Sequence, residues 1–195
     1  MITMTFHNKT RRTMVKFKLQ REVSTPYYTV GMLTEESTGF RCKTLEKPLA
    51  SHFKIPRPAF TAVMAGEYKM KLVNLNLDFT FGICLKGTYK DAILEGVEKP
   101  NKAHAGSVCI GKKFVEGKGL EGGEEVMGML NKLIDFLIDQ GKVDPSGRTS
   151  SAFLEITEED MVTMQGIDLE KVDQKWEPNW NCIEESEMED FEDDE

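Results

Sequence analysis

The sequence predicts an α+β fold, mainly antiparallel β in a small barrel or sandwich, with one amphipathic helix packed on it and an acidic C-terminal tail. Three observations carry this expectation. Apolar and polar residues alternate in several runs between residues 15 and 85, the period of a strand with one buried face. The period changes once, to a helical stripe between Glu124 and Gln140. After Gly166 periodicity ends and acidic residues take over.

Val15, Phe17 and Leu19 alternate with Lys16, Lys18 and Gln20 and define the first strand. Tyr27 to Leu33 and Phe40 to Leu45 are two further β-prone runs, and the polar stretch Thr34 to Gly39 between them reads as a hairpin loop. Pro48, Pro56 and Pro58 remove ladder donors and restrict the residues before them, so residues 47–59 are expected to form an exposed loop. Ala65-Gly66-Glu67 reads as a turn into a fourth strand, where Tyr68, Met70 and Leu72 alternate with Lys69 and Lys71. Phe79, Phe81, Ile83 and Leu85 repeat the pattern and place Cys84 on the opposite face. Ala92 to Leu94 and Val108 to Ile110 read as short strand ends around an irregular Lys/Pro/Asn/Gly-rich connection.

Val126, Leu130, Leu133 and Leu137 then fall at i, i+4, i+7 and i+11, one face of a helix. Glu124 and Glu125 suit its start, and Gly141 suits its end. Asp144-Pro145-Ser146-Gly147 is a turn, and Ala152 to Ile156 reads as a closing strand. Thr157 to Asp160 is expected to open a short helix with Thr157 as its N-cap. The expected organisation is a basic arm (1–13), a β-rich globular domain (14–166) and an acidic tail (167–195).

The net charge of −8 is a property of the tail. Ten of the 33 acidic residues and none of the 25 basic ones lie from Glu177 onward, so the first 176 residues carry 25 basic against 23 acidic side chains. Residues 1–21 contain six basic residues (Lys9, Arg11, Arg12, Lys16, Lys18, Arg21) and no acid, which reads as a solvated arm running into a strand. Only Phe6 and Phe17 accompany them, short of the repeated aromatics a stacking platform requires, so direct binding of nucleic acid is not expected. No apolar run approaches the roughly 18–20 residues of a membrane-spanning helix, and the first twelve residues lack the apolar stretch of a secretory signal. A soluble protein of the producing cell's cytoplasm is expected, with no membrane partner.

Four scattered cysteines (Cys42, Cys84, Cys109, Cys182) without a Cys-x-x-Cys pair point to reduced thiols rather than a disulfide scaffold or a zinc site. Three widely spaced histidines without a paired carboxylate motif predict no metal centre, and nothing implies a cofactor. The run Gly117 to Gly123 invites a phosphate-cradle reading, but it lacks a Gly-Lys-Ser/Thr ending, and Glu121, Glu124 and Glu125 would repel phosphate. A flexible loop is expected there.

Thr44-Leu45-Glu46-Lys47-Pro48, Met64-Ala65-Gly66-Glu67-Tyr68 and Ser107-Val108-Cys109-Ile110-Gly111 occur in that order, followed by the helix and the closing strand. Over residues 14–158 this order resembles the domain-of-unknown-function family 5675, small proteins of bacteria and their phages. The family's motifs there are Thr-Leu-Glu-x-Pro, Pro-Ala-Gly-Thr-Tyr and Glu-Gly-Cys-Ile followed by Gly. Its Cys-Ile motif is similar in turn to the Ser-His-Gly-Cys motif of L,D-transpeptidases, whose Cys accepts the acyl group in peptidoglycan cross-linking. The resemblance implies a mostly β domain of phage origin, with Cys109 at the end of a short strand and facing a cleft between flanking loops.

Cysteine catalysis needs a thiolate, a nearby base and N–H groups for the oxyanion. Cys109, with His104 as base and Ser107 beside it, is the only candidate constellation. Two features oppose it. Val108 stands where the transpeptidase pattern has the glycine that lets substrate approach, and Glu95 stands where an imidazole is expected, and a carboxylate raises the pKa of a neighbouring thiol. A buried structural cysteine is the preferred reading.

In the tail, Trp176, Trp180 and Phe191 sit among carboxylates that include Glu184, Glu185 and Asp193. A disordered solubilising tail is the plain reading. A docking segment, with these six residues meeting a basic surface either of the same chain or of another protein, is the sharper one. The function expected is therefore a non-catalytic binding or assembly protein. Its partner is another protein in a virion or host complex, with self-association as a second arrangement. A cysteine-dependent acyltransferase or hydrolase acting on peptidoglycan is the alternative.

Overall fold

The computed structural model describes residues 14–54, 61–75, 78–85, 92–100, 102–104, 107–146, 148 and 152–164. The basic arm and the acidic tail, with Trp176, Trp180, Glu184, Glu185, Phe191 and Asp193, lie outside them.

The strands are β1 (Val15–Ser24), β2 (Thr29–Glu35), β3 (Arg41–Glu46), β4 (Gly66–Leu75), β5 (Asp78–Ile83), β6 (Ala92–Glu95), β7 (Val108–Gly111), β8 (Lys113–Val115), β9 (Gly119–Glu121), β10 (Ala152–Thr157) and β11 (Val162–Thr163). One helix, α1 (Gly123–Asp139), separates β9 from β10. Eight strands close into a barrel in the order β1-β2-β3-β7-β6-β5-β4-β10, with β10 returning to β1. Six of these pairings are antiparallel, while β1–β10 and β6–β7 are parallel. Closure gives each of these eight strands two neighbours, and the two-residue β11 adds to the end of β1 as a short edge.

The alternation read from the sequence is what fills the barrel. Val15, Phe17 and Leu19 from β1, Met70 and Leu72 from β4, Phe81 and Ile83 from β5, and Ala152, Leu154 and Ile156 from β10 point into one core. An eight-stranded barrel is just wide enough for side chains to occupy its interior, and Phe17 and Phe81 meet edge to face there with ring centroids 5.1 Å apart. The helix adds Val126, Leu130, Leu133, Ile134 and Leu137 to the same core. Gly141, at φ 63°, ends the helix in the left-handed conformation that glycine adopts without strain. No helix among the described residues is long and apolar enough to cross a membrane.

Four expectations are corrected. Pro48 and Leu49 are buried rather than exposed, and a short 3-10 turn, Ala50–His52, follows them. The glycine-rich stretch is not simply a loop: β8 and β9 form a hairpin from it, with Gly117 at φ 76° in the turn. Thr157 to Asp160 does not open a helix. Thr157 ends β10, and its hydroxyl donates to Gln20 Oε1 at 2.6 Å. The chain then turns through Asp160 at φ 59° into β11. Lastly, Arg21 does not belong to a solvated basic surface. It follows the inward parity of Val15, Phe17 and Leu19 and is fully buried.

Candidate functional site

The second residue of β7, Cys109, has the opposite orientation to its neighbours Val108 and Ile110. Those two enter the barrel core, whereas Cys109 joins a separate outer cluster of Tyr28, Val30, Leu45 and Leu120. This cluster exists because the β8–β9 hairpin lies over β3 and β7. Phe114 of β8 packs on it, its ring 5.2 Å from that of Tyr28, and Leu120 of β9 is a member. The thiol is consequently sealed at 0 % exposure. No cleft opens onto it, in contrast to what the resemblance implied.

Electrostatics act in the same direction. Burial raises the Cys109 pKa first, and the carboxylates of Glu95 and Glu46 raise it further. Glu95 is the parallel-register partner of Cys109 across β6–β7, so the two occupy one face. The thiol is held well above the ordinary range, and a thiolate is disfavoured at neutral pH.

His104 shares that carboxylate but does not serve the sulfur. Its backbone N–H donates to Glu95 Oε1 at 2.9 Å, and its ring Nδ1 lies 2.8 Å from the same oxygen. The imidazole side chain is 68 % exposed. Ser107 is buried, and its hydroxyl oxygen accepts the Ile93 N–H at 3.1 Å, which ties the approach of β7 to β6. The structure thus places His104 on Glu95, Cys109 opposite Glu95 and Ser107 on Ile93, without forming a nucleophile–base pair.

A second constellation escaped the sequence reading. At the end of the barrel near β11, the Arg21 guanidinium donates from Nε to Glu46 Oε2 at 2.9 Å and from Nη2 to Glu46 Oε1 at 2.7 Å. It also donates from Nη1 to Glu158 Oε1 at 2.7 Å and from Nη2 to the Val63 carbonyl. Burial opposes the charge, but Glu46 and Glu158 outweigh it, and the Arg21 pKa is raised. Ser24, Thr29 and Thr44 surround this polar layer, and His52 Nε2 lies 2.9 Å from Ser24 Oγ. One side chain therefore joins β1, β3, the chain before β4 and the turn after β10. Its hydrogen bonds are spent on the protein's own carboxylates and carbonyl, so the layer acts as an internal tie rather than an anion receptor.

The signal for this tie was parity. Arg21 stands two residues beyond Leu19, and Glu46 stands two beyond Thr44, each on an inward-facing row.

No group of three or more His, Cys, Asp or Glu side chains that could hold a metal ion occurs among the described residues. Comparisons with protein-family models, with curated proteins and with solved structures found no match.

Proposed function

We propose that this protein is a non-catalytic binding or assembly factor, in which a closed barrel presents an acidic tail to a basic surface on another protein. The observation that supports it most is the sealing of Cys109 beneath the β8–β9 hairpin, beside a carboxylate that disfavours its thiolate. Acyl transfer through this cysteine would need substrate access and a base. The hairpin occupies the approach, and His104 is engaged by Glu95. The charge division supports the binding half of the reading, because nine acidic residues and no basic one lie between Glu184 and Glu195. Such a segment associates through long-range attraction and is sensitive to salt. The order of motifs that resembles the phage family supports a partner in a virion or host complex.

The test is removal of residues 184–195. The truncated chain should keep its thermal unfolding midpoint and lose salt-sensitive binding to a partner captured by the full chain. Unchanged binding after truncation would overturn the reading. The alternative reading, a cysteine-dependent acyltransferase or hydrolase, requires activity on peptidoglycan stem peptides that a Cys109→Ala variant lacks.

A further inference from the structure

Three features of α1 run against what a solvent-facing helix favours, and all three lie on its outer side. The inner side, formed by Val126, Leu130, Leu133, Ile134 and Leu137, packs on the barrel. On the outer side Met129 and Phe136 are 44 % and 47 % exposed. They stand two helical turns apart, so they lie one above the other with about 10 Å between them along the axis. Gly128 is the second feature. It sits in the helix interior, where glycine is a poor helix former, and a Cβ there would meet nothing within 4 Å, so packing on the barrel does not require it. Charge is the third. Asp135 and Asp139 occupy the last two turns, where the helix dipole disfavours a carboxylate, and no base stands in the last turn. With Glu124 and Glu125 at the start, the exposed side of α1 carries four acids and one base, Lys132. Among the described residues only Glu125 of these acids has an ion partner, Lys112 at 2.7 Å.

We infer that this outer side of α1 is the docking site for a basic amphipathic helix of another protein. Each feature then has a use. Met129 and Phe136 offer apolar contacts at the spacing with which a partner helix repeats its own apolar stripe. Gly128, next to Met129 and without a side chain, lets the partner backbone come close at that point. A base brought to Asp135 and Asp139 offsets their position at the negative end of the helix dipole.

Charge also limits which occupant fits. Lys132 lies between the apolar pair in sequence and repels a uniformly basic chain, so the bases of the partner must flank its apolar stripe rather than fill it. A second copy of the chain is disfavoured, because two such surfaces would oppose carboxylates to carboxylates. The site does not include the acidic tail, so it does not depend on the function proposed for that segment.

The probe is a leucine–lysine peptide of about four helical turns with its leucines at i, i+3, i+4 and i+7, set against an isomer of the same composition whose leucines alternate with lysines. The acidic tail attracts both isomers by charge, whereas the α1 surface fits the helical one. Fluorescence anisotropy of the labelled peptides with the full chain should show binding of the helical isomer tighter by about ten-fold. A Met129→Gln/Phe136→Gln variant, altered only at exposed positions and without change of charge, should bring the two isomers to equal affinity while the far-ultraviolet circular dichroism stays that of the folded barrel. Gly128→Gln should remove the preference as well while raising the thermal unfolding midpoint, a combination that loss of folding cannot produce. Equal affinity of the two isomers for the parent chain, or a preference that either variant keeps, would overturn the inference. Self-association of the free chain in sedimentation, abolished by the double variant, would also overturn it, by showing that a second copy occupies the surface.

Discussion

Arg21 and Glu46 lie opposite each other inside the barrel as a two-pronged pair, Nε to Oε2 at 2.9 Å and Nη2 to Oε1 at 2.7 Å, with both side chains fully or almost fully buried. The pair converts an apolar barrel into one with a polar end. A buried ion pair contributes little net stability, but removing one partner strands the other charge at a cost of about 3–5 kcal/mol. Glu46→Leu should therefore lower the urea unfolding free energy by that amount. An Arg21→Met/Glu46→Leu double variant should recover much of the loss, because no uncompensated buried charge remains and Glu158, which also loses its partner, reaches solvent. Equal losses in the single and double variants would contradict the tie.

Glu35 predicts a distinct acid sensitivity. Burial opposes its ionisation, yet its two oxygens accept from the Thr38 and Ser37 hydroxyls (2.6 and 2.7 Å) and from the N–H groups of the same residues, and the pKa falls below the ordinary glutamate value. A depressed carboxylate contributes stability that is present above its unfolded pKa and lost as pH falls through the folded one. Glu35→Gln should thus destabilise the β2–β3 hairpin at pH 7. The difference from the parent chain should shrink as both are acidified below pH of about 4, the ordinary glutamate range. A difference independent of pH would show that the carboxylate charge is not involved.

The same substitution at two helical glycines should have opposite signs. Gly123 opens α1 against the backbone just after β6: a Cβ on its spatial neighbour Gly96 would lie 2.6 Å from the Gly123 carbonyl oxygen, and a Cβ on Gly123 would meet the Gly96 carbonyl. Gly123→Ala should cost about 1–3 kcal/mol by overpacking. Gly128 faces open space in the helix interior, and Gly128→Ala should add about 1 kcal/mol through helix propensity. Thermal denaturation of both variants separates the two effects.

Most of the barrel was legible because its strands carry a single alternation. Phe17, Leu19, Phe81 and Leu154 announce an inward face whichever strands lie beside them. The parallel joins β1–β10 and β6–β7 were not legible, since alternation gives facing but not pairing order. The β8–β9 hairpin was hidden by its glycines, which read as flexibility until Leu120 and Phe114 are seen covering Cys109. Arg21 was misread because charge outweighed parity: six basic residues without an acid suggested a solvated arm, while its partners Glu46 and Glu158 lie 25 and 137 residues away. The opposing influence of Glu95 on the thiol was readable from its place in the motif, whereas its bond to His104 depended on a loop whose path no periodicity fixes.

The alkylation of Cys109 in the folded chain tests the central claim most directly. Iodoacetamide labelling can be followed by peptide mass spectrometry with the half-buried Cys84 as reference. The account predicts that Cys109 is modified far more slowly than Cys84, together with Cys42, whose thiol burial pushes up to about 12. It also predicts that Glu46→Leu accelerates Cys109 labelling in step with its loss of stability, because the sulfur is reached only through unfolding. Rapid labelling of Cys109 at neutral pH, faster than Cys84 and unaffected by Glu46→Leu, would contradict the account and place a reactive thiol on this barrel.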